Sequence, residues 1–171
     1  MASPLHVSRS RTYPVALDDA FARTLAWPLP ELFDSRYGPI PPISAVDFDG
    51  DAWGTVGQAR TIRTGDGGSM REELVAVDPP DRFAYEITGI TGPMKPLVGR
   101  VEGEWAFEPV GTGCRITWSW TVHAASTASA LGLPVFGRLW LGYARRAGPR
   151  PSRGPAPRRR AVTAGRESQH A

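Results

Sequence analysis

Apolar and polar residues alternate along most of the middle of the chain, a pattern typical of β-strands with one buried face. The alternation predicts six strands there, over residues 45–49, 55–64, 69–78, 82–90, 99–110 and 114–123. A further strand is predicted from His6 to Val15. Short turns such as Gly65–Gly68 separate the later strands, so we expect an antiparallel meander.

Two segments show helical spacing instead of alternation. A short helix is predicted from Asp18 to Trp27, with Asp18 as its N-cap, and a second helical turn follows at residues 30–37. The last helix is predicted from Pro134 to Ala147, where Pro suits a helix start. This helix is amphipathic, with an apolar face at helical spacing that consists of Phe136, Leu139, Trp140, Tyr143 and Ala147.

This order of elements predicts an α+β fold in which the last helix lies across the concave face of one curved antiparallel sheet. A highly curved sheet and a single helix leave space between them, and that space is either filled by core side chains or open as an apolar cavity. The aromatic residues predicted to face it are Phe83, Tyr85, Trp105, Phe107, Trp118 and Trp120 on the strands and Phe136, Trp140 and Tyr143 on the helix.

One arginine is a candidate polar group in that interior. Arg60 is in phase with Val56 and Ile62, so its guanidinium either enters the cavity or lies exposed like that of Arg63. Glu73 is a candidate partner for Arg60. Because Glu72 and Glu73 are adjacent, one of them faces each side of the sheet, and the pattern leaves open which one is buried.

Charge divides the chain into a domain and a tail. Residues 1–144 carry a net charge of −4, residues 145–171 carry +7, and the pI near 9.5 reflects the second part. The prediction is one folded domain over residues 1–147 and a disordered tail rich in Arg, Pro and Gly over residues 148–171. We expect a cytoplasmic protein with no secretory signal, no membrane span and no nucleic-acid partner.

Catalytic and metal-binding patterns are weak. The histidines are scattered along the chain, and Cys114 is in phase with buried residues. Asp47, Asp49 and Asp51 imitate the start of a calcium loop, but Ala52 and Gln58 stand where that loop needs Gly and Glu. We therefore predict no catalytic residue, no metal site and no cofactor.

Three segments carry a family resemblance: Arg71–Thr88, Glu104–Trp120 and Leu133–Ala147. Together they resemble the polyketide cyclase/dehydrase-like branch of the START/Bet v 1-like (SRPBCC) superfamily, over roughly Val7 to Ala147. The resemblance implies a helix-grip fold that holds apolar small molecules between the sheet and the last helix. Some such proteins are cyclases or aromatases, and many are carriers or sensors. Here Gly148–Pro149 ends the last helix earlier than is usual for them.

The resulting expectation is binding of a hydrophobic small molecule, such as a lipid, a polyketide or an aromatic metabolite. The alternative is a polyketide cyclase/dehydrase-type enzyme that uses the same cavity, with Arg60, Glu73 or Tyr85 moving protons. A third hypothesis is an interaction module that uses the basic tail, and no oligomeric state is predicted. The expected ligand-binding residues are Arg60, Phe83, Tyr85, Trp105, Phe107, Trp118, Trp120, Phe136, Trp140 and Tyr143.

Overall fold

The structure, a computed structural model, describes residues 3–146 of the chain. Ala147 and the predicted tail lie outside the described residues. The strands are β1 (Leu5–Tyr13), β2 (Ile43–Asp47), β3 (Ala59–Thr64), β4 (Ser69–Asp78), β5 (Arg82–Thr88), β6 (Val98–Val110) and β7 (Gly113–Ala124). The α-helices are α1 (Leu17–Leu25), α2 (Leu29–Leu32) and α3 (Leu133–Arg146), and short 3₁₀ turns occupy Gly92–Met94 and Ser129–Gly132.

All seven strands form one antiparallel sheet in the order β1-β7-β6-β5-β4-β3-β2. Strands β2 to β7 run as a meander, because each is hydrogen-bonded to the next in the chain. Strand β1 lies beside β7, so α1 and α2 connect the two opposite edges of the sheet. This arrangement confirms the predicted α+β helix-grip fold.

Helix α3 packs against the sheet at its β1–β7 side. Trp140 is completely buried there, and its ring lies 4.8 Å from that of Trp118, centroid to centroid. Gly137 permits a close approach to β1, since a Cβ at this position would lie only 3.0 Å from Leu5 Cδ2. The predicted aromatic stripe of the last helix is therefore the face that packs on the sheet.

Three local predictions were wrong. The second helical turn, predicted over residues 30–37, spans only Leu29–Leu32. The first helix begins at Leu17 and is preceded by Ala16, which makes no side-chain cap, so Asp18 lies in the first turn and is not the N-cap. An acidic residue there still suits the positive end of the helix dipole. Strand β3 begins at Ala59 rather than residue 55, because the Gln58 side chain holds residues 52–55 in a turn through three hydrogen bonds. As a result, Val56 is exposed.

Candidate functional site

A largely apolar cavity opens between the inner face of β3–β7 and the segment that carries α1 and α2. The volume of the cavity is about 80 Å³. Its roof is formed by α1, α2 and the connector to β2, while Tyr143 is the one residue that α3 contributes among its described side chains. The cavity therefore lies mainly under the two short helices rather than under the last helix.

Seven of the ten predicted ligand-binding residues line this cavity: Arg60, Phe83, Tyr85, Trp105, Trp118, Trp120 and Tyr143. The other three are placed elsewhere in the core. Phe107 packs edge-on against Phe21 of α1, with the ring centroids 5.4 Å apart. Phe136 and Trp140 pack on Trp120, with centroids 6.5 and 5.6 Å away, and so fill the space under α3.

Tyr85 is the polar centre of the aromatic wall. Its hydroxyl oxygen accepts a hydrogen bond from Trp118 Nε1 and another from Trp120 Nε1, each 2.8 Å long. The strand register explains why the Tyr85 hydroxyl reaches the indole groups. Tyr85 on β5 lies opposite Gly103 on β6, and Gly103 lies opposite Trp120 on β7. Gly103 has no side chain, so the Tyr85 ring can extend over it towards the two indoles.

Arg60 and Glu72 form an ion pair in the wall contributed by β3 and β4. Arg60 Nε donates to Glu72 Oε2, and the two side chains are 11% and 6% exposed. The guanidinium also stacks on Trp53, 4.1 Å from the ring centroid, which is a favourable cation–π arrangement. The interior orientation predicted as one option for Arg60 is thus the one found.

The partner of Arg60 is Glu72 and not Glu73. Glu73 faces the other side of the sheet, where Arg71 donates to its carboxylate. Apolar residues occur in both phases of β4 because a bulge between Leu74 and Ala76 shifts the register, leaving Val75 half exposed. The bulge explains why the alternation alone did not identify the buried glutamate.

Burial dominates the electrostatics of the site. It raises the pKa of the Glu72 carboxyl above its ordinary value, although the charge and hydrogen bond of Arg60 oppose the shift. Burial likewise raises the pKa of the Tyr85 phenol well above the usual range, with a further contribution from the Glu72 charge. The pKa of Tyr143 is raised for the same main reason. Both tyrosines are therefore neutral hydrogen-bonding groups at ordinary pH.

Sequence reasoning missed many contributors to the site, and Trp53, Phe33 and Gly103 are instructive examples. Trp53 and Phe33 lie in connecting segments without regular alternation, so no periodic signal pointed to them. Gly103 interrupts an alternating apolar phase between Val101 and Trp105, and this gap was the available sign that a neighbouring side chain passes over it.

The remaining candidates lie away from the cavity. His123 is on the outer face of the sheet, 3.0 Å from Glu102 and hydrogen-bonded to Arg100. Cys114 is a free thiol in the core. Within residues 3–146, no group of three His, Cys, Asp or Glu side chains is arranged to hold a metal ion. None of the helices in this range is long and apolar enough to cross a membrane.

The described geometry is that of a helix-grip domain with an internal aromatic cavity, and comparisons with solved structures agree. Norcoclaurine synthase from Thalictrum flavum, in complex with dopamine and hydroxybenzaldehyde, is similar with a TM-score of 0.62 and 17% identity, covering 85% of this chain and 84% of its own. Ara h 8.0201 is similar with a TM-score of 0.60 and 18% identity, covering 84% and 95%. Ginseng major latex-like protein 151 from Panax ginseng is similar with a TM-score of 0.54 and 16% identity, and the match covers 84% of this chain and 94% of that protein.

The sequence itself identifies the family. Residues 4–148 match the family described as polyketide cyclase / dehydrase and lipid transport, and the chain belongs to it. This family and the shared fold make it a Bet v 1-like, polyketide cyclase-type ligand-binding domain within the SRPBCC superfamily. Comparison with curated proteins finds no significant match.

Proposed function

We propose that this chain binds a compact, largely apolar small molecule in the cavity beneath α1 and α2. The observation that carries the proposal is an internal hollow with aromatic walls and only a few convergent polar groups, which is the usual composition of a small-molecule site. A core built only for packing fills such a space, as Phe136 and Trp140 do under α3.

The walls suit a flat ligand. Trp105 and Trp118 stack with centroids 5.0 Å apart and planes at 6°, while Phe33 and Tyr143 stack at 5.1 Å and 14°. Such faces provide large contact areas and favour offset or edge contacts with another ring. Norcoclaurine synthase, which has a similar fold, was solved in complex with dopamine and hydroxybenzaldehyde, and this supports a ligand of that size. We therefore favour an aromatic or conjugated ligand over a long acyl chain.

A pair of tryptophan substitutions on one strand tests the proposal. Met70 lines the cavity, so Met70→Trp fills part of it, whereas Val75 is half exposed on the outer face. Ligand-observed NMR with ethylbenzene and acetophenone should detect binding to the parent and to Val75→Trp, and at least tenfold weaker binding to Met70→Trp. Native mass spectrometry of freshly purified protein should also reveal a co-purifying molecule.

Two results would count against this function. One is the absence of binding of either probe to the folded parent protein. The other is equal binding by Met70→Trp and Val75→Trp, which would place the probes outside the cavity. Circular dichroism spectra of both variants, compared with that of the parent, serve as the folding control.

A second candidate function is an enzyme of the cyclase/dehydrase type acting in the same cavity. The observation in its favour is that a carboxyl group, Glu72, and a hydroxyl donor, Tyr85, lie on diagonally neighbouring positions of the inner face. A carboxylate base that removes a proton next to a carbonyl, with a donor on the carbonyl oxygen, is the arrangement needed to form an enolate. Raising the pKa of Glu72 brings it closer to the range useful for such a base.

Deuterium exchange separates the enzyme from the simple binder. If Glu72 takes a proton from the methyl group of bound acetophenone, the resulting enolate regains a deuteron in D₂O, and NMR shows loss of the methyl signal. We expect exchange above the buffer rate only if this second function holds, and Glu72→Gln should abolish it. Exchange at the buffer rate, with acetophenone bound, would leave binding alone as the function.

A further inference from the structure

The Tyr85 hydroxyl is restricted to acting as a hydrogen-bond donor towards the cavity. Its oxygen already accepts two indole N–H groups, from Trp118 and Trp120, at 2.8 Å each. Its remaining hydrogen-bonding capacity is the O–H proton. Among residues 3–146, this hydroxyl donates no hydrogen bond to a protein acceptor. A bound molecule or water must therefore supply the acceptor.

The donor is also held in one place. A Cβ at Gly103 would lie 2.2 Å from Tyr85 Cζ and 2.6 Å from its hydroxyl oxygen, so the ring lies directly against the bare backbone of β6. Leu74, on the strand at the other side, is 1% exposed, and Tyr85 itself is 5% exposed. Two indole donors on the oxygen also polarise the O–H bond and strengthen it as a donor. The group is pre-organised for one acceptor atom.

The charges in the cavity wall are balanced before any ligand enters. Arg60 and Glu72 are the charged residues that line the cavity within the described part of the chain, and they pair with each other. A ligand carboxylate placed here would have no uncompensated cation to meet. Burying such a charge is costly, whereas burying a neutral oxygen that accepts one hydrogen bond is not.

From these three observations, and resting on the proposed function, we infer that Tyr85 selects an uncharged ligand with an acceptor oxygen. The ligand class is a ketone, an aldehyde or a phenol on an otherwise apolar, ring-sized body. The oxygen accepts the Tyr85 proton while the body contacts the aromatic walls. Hydrocarbons leave the donor unsatisfied, and carboxylates introduce an unpaired charge, so both classes bind less well.

Three probes of nearly equal shape test the selectivity: acetophenone, ethylbenzene and benzoate. Acetophenone presents a neutral carbonyl, ethylbenzene has no acceptor, and benzoate presents an anionic carboxylate. Ligand-observed NMR gives the dissociation constant of each probe with the 171-residue chain. We expect acetophenone to bind about tenfold more tightly than ethylbenzene. Ethylbenzene leaves the buried Tyr85 donor unsatisfied, and that penalty corresponds to about a tenfold difference in dissociation constant. Benzoate should bind more weakly than acetophenone at pH 7.

Two phenylalanine substitutions assign the effect to one hydroxyl. Tyr85→Phe should remove the preference for acetophenone over ethylbenzene. Tyr13→Phe is the matched control, because Tyr13 lies on β1, half-buried and outside the cavity lining, and this variant should keep the preference. The carbonyl stretching band of ¹³C-labelled acetophenone provides a direct readout. It should lie at lower frequency in the parent and in Tyr13→Phe than in Tyr85→Phe.

The outcomes distinguish this inference from the function on which it rests. Equal affinities of the parent protein for acetophenone and ethylbenzene, or tighter binding of benzoate, would overturn the inference while leaving the cavity as a binding site. Failure of all three probes to bind would overturn both. The comparison among probes uses the parent protein alone, so it stands even if Tyr85→Phe does not fold with two indole N–H groups unpaired.

Discussion

Replacing Gly103 with alanine is a sharp test of how the site is built. The added Cβ would lie 2.2 Å from Tyr85 Cζ, 2.3 Å from Cε2 and 2.6 Å from the hydroxyl oxygen, all far below ordinary van der Waals contact. The Tyr85 ring cannot yield freely, because Leu74 packs on its other side and two indoles hold its oxygen. Gly103→Ala must therefore displace the ring and break those hydrogen bonds.

The magnitude follows from the groups disturbed. Overpacking a core costs about 1–3 kcal/mol. Each of the two buried hydrogen bonds lost costs about 0.5–1.5 kcal/mol. Together these terms lower the free energy of unfolding by roughly 2–6 kcal/mol. At an unobstructed strand position the same substitution stabilises by about 0.5–1 kcal/mol, because glycine loses more backbone freedom on folding. The sign of the change is thus diagnostic.

Urea unfolding followed by tryptophan fluorescence measures this change, and a double-mutant cycle assigns it to Tyr85. In a Tyr85→Leu background the alanine at position 103 no longer meets the ring, so its cost should shrink to near zero. The reasoning would be refuted if Gly103→Ala were as stable as the parent. An equal cost in the presence and absence of the Tyr85 ring would refute it as well.

Three further predictions concern other contacts. Arg60→Met or Glu72→Gln alone should lower the free energy of urea unfolding by about 3–5 kcal/mol, because each leaves the partner's buried charge unpaired. The double variant with Met at both positions leaves no buried charge there and should recover most of that loss. The Thr64 hydroxyl donates a hydrogen bond to the Asp66 carboxylate and lowers the pKa of Asp66 below its ordinary value of 3.8. The ionised carboxylate therefore stabilises the fold above pH 3.8, and this stabilisation is lost as the pH falls through the lower pKa of the folded state. Asp66→Asn should therefore flatten the fall of Tm in acid. Gly142→Ala should lower Tm, because its Cβ would lie 2.0 Å from the Tyr37 hydroxyl, and a Tyr37→Ala background should relieve the effect.

The inner face of the sheet could be predicted because alternation is a direct consequence of strand geometry. Side chains at every second position share a face, so the phases of Trp118 and Trp120, and of Phe83 and Tyr85, followed from the sequence. The structure places all four against the cavity. The same reasoning gave the order of elements and hence the fold.

Alternation alone could not predict which side chains of neighbouring strands and connectors contact one another. The choice between Glu72 and Glu73 depended on a bulge, and the bulge adds one residue without a distinctive sequence signal. The roof of the cavity depended on a connector whose side chains follow no period. The predicted cap at Asp18 failed for a similar reason, since Ala16 precedes the helix with only backbone hydrogen bonding.

The Arg60–Glu72 pair bears on why the wall is not simply apolar. Removing two charges from water is expensive, and well-packed hydrophobic residues at such positions are often neutral or stabilising by comparison. The cavity thus retains a pair that stability alone does not require, next to a tyrosine whose proton has no protein acceptor among the described residues. If the pair shapes the proposed ligand site, the double methionine variant will be stable yet bind acetophenone poorly. A variant that is stable and binds it as well as the parent would show instead that the pair is incidental to binding.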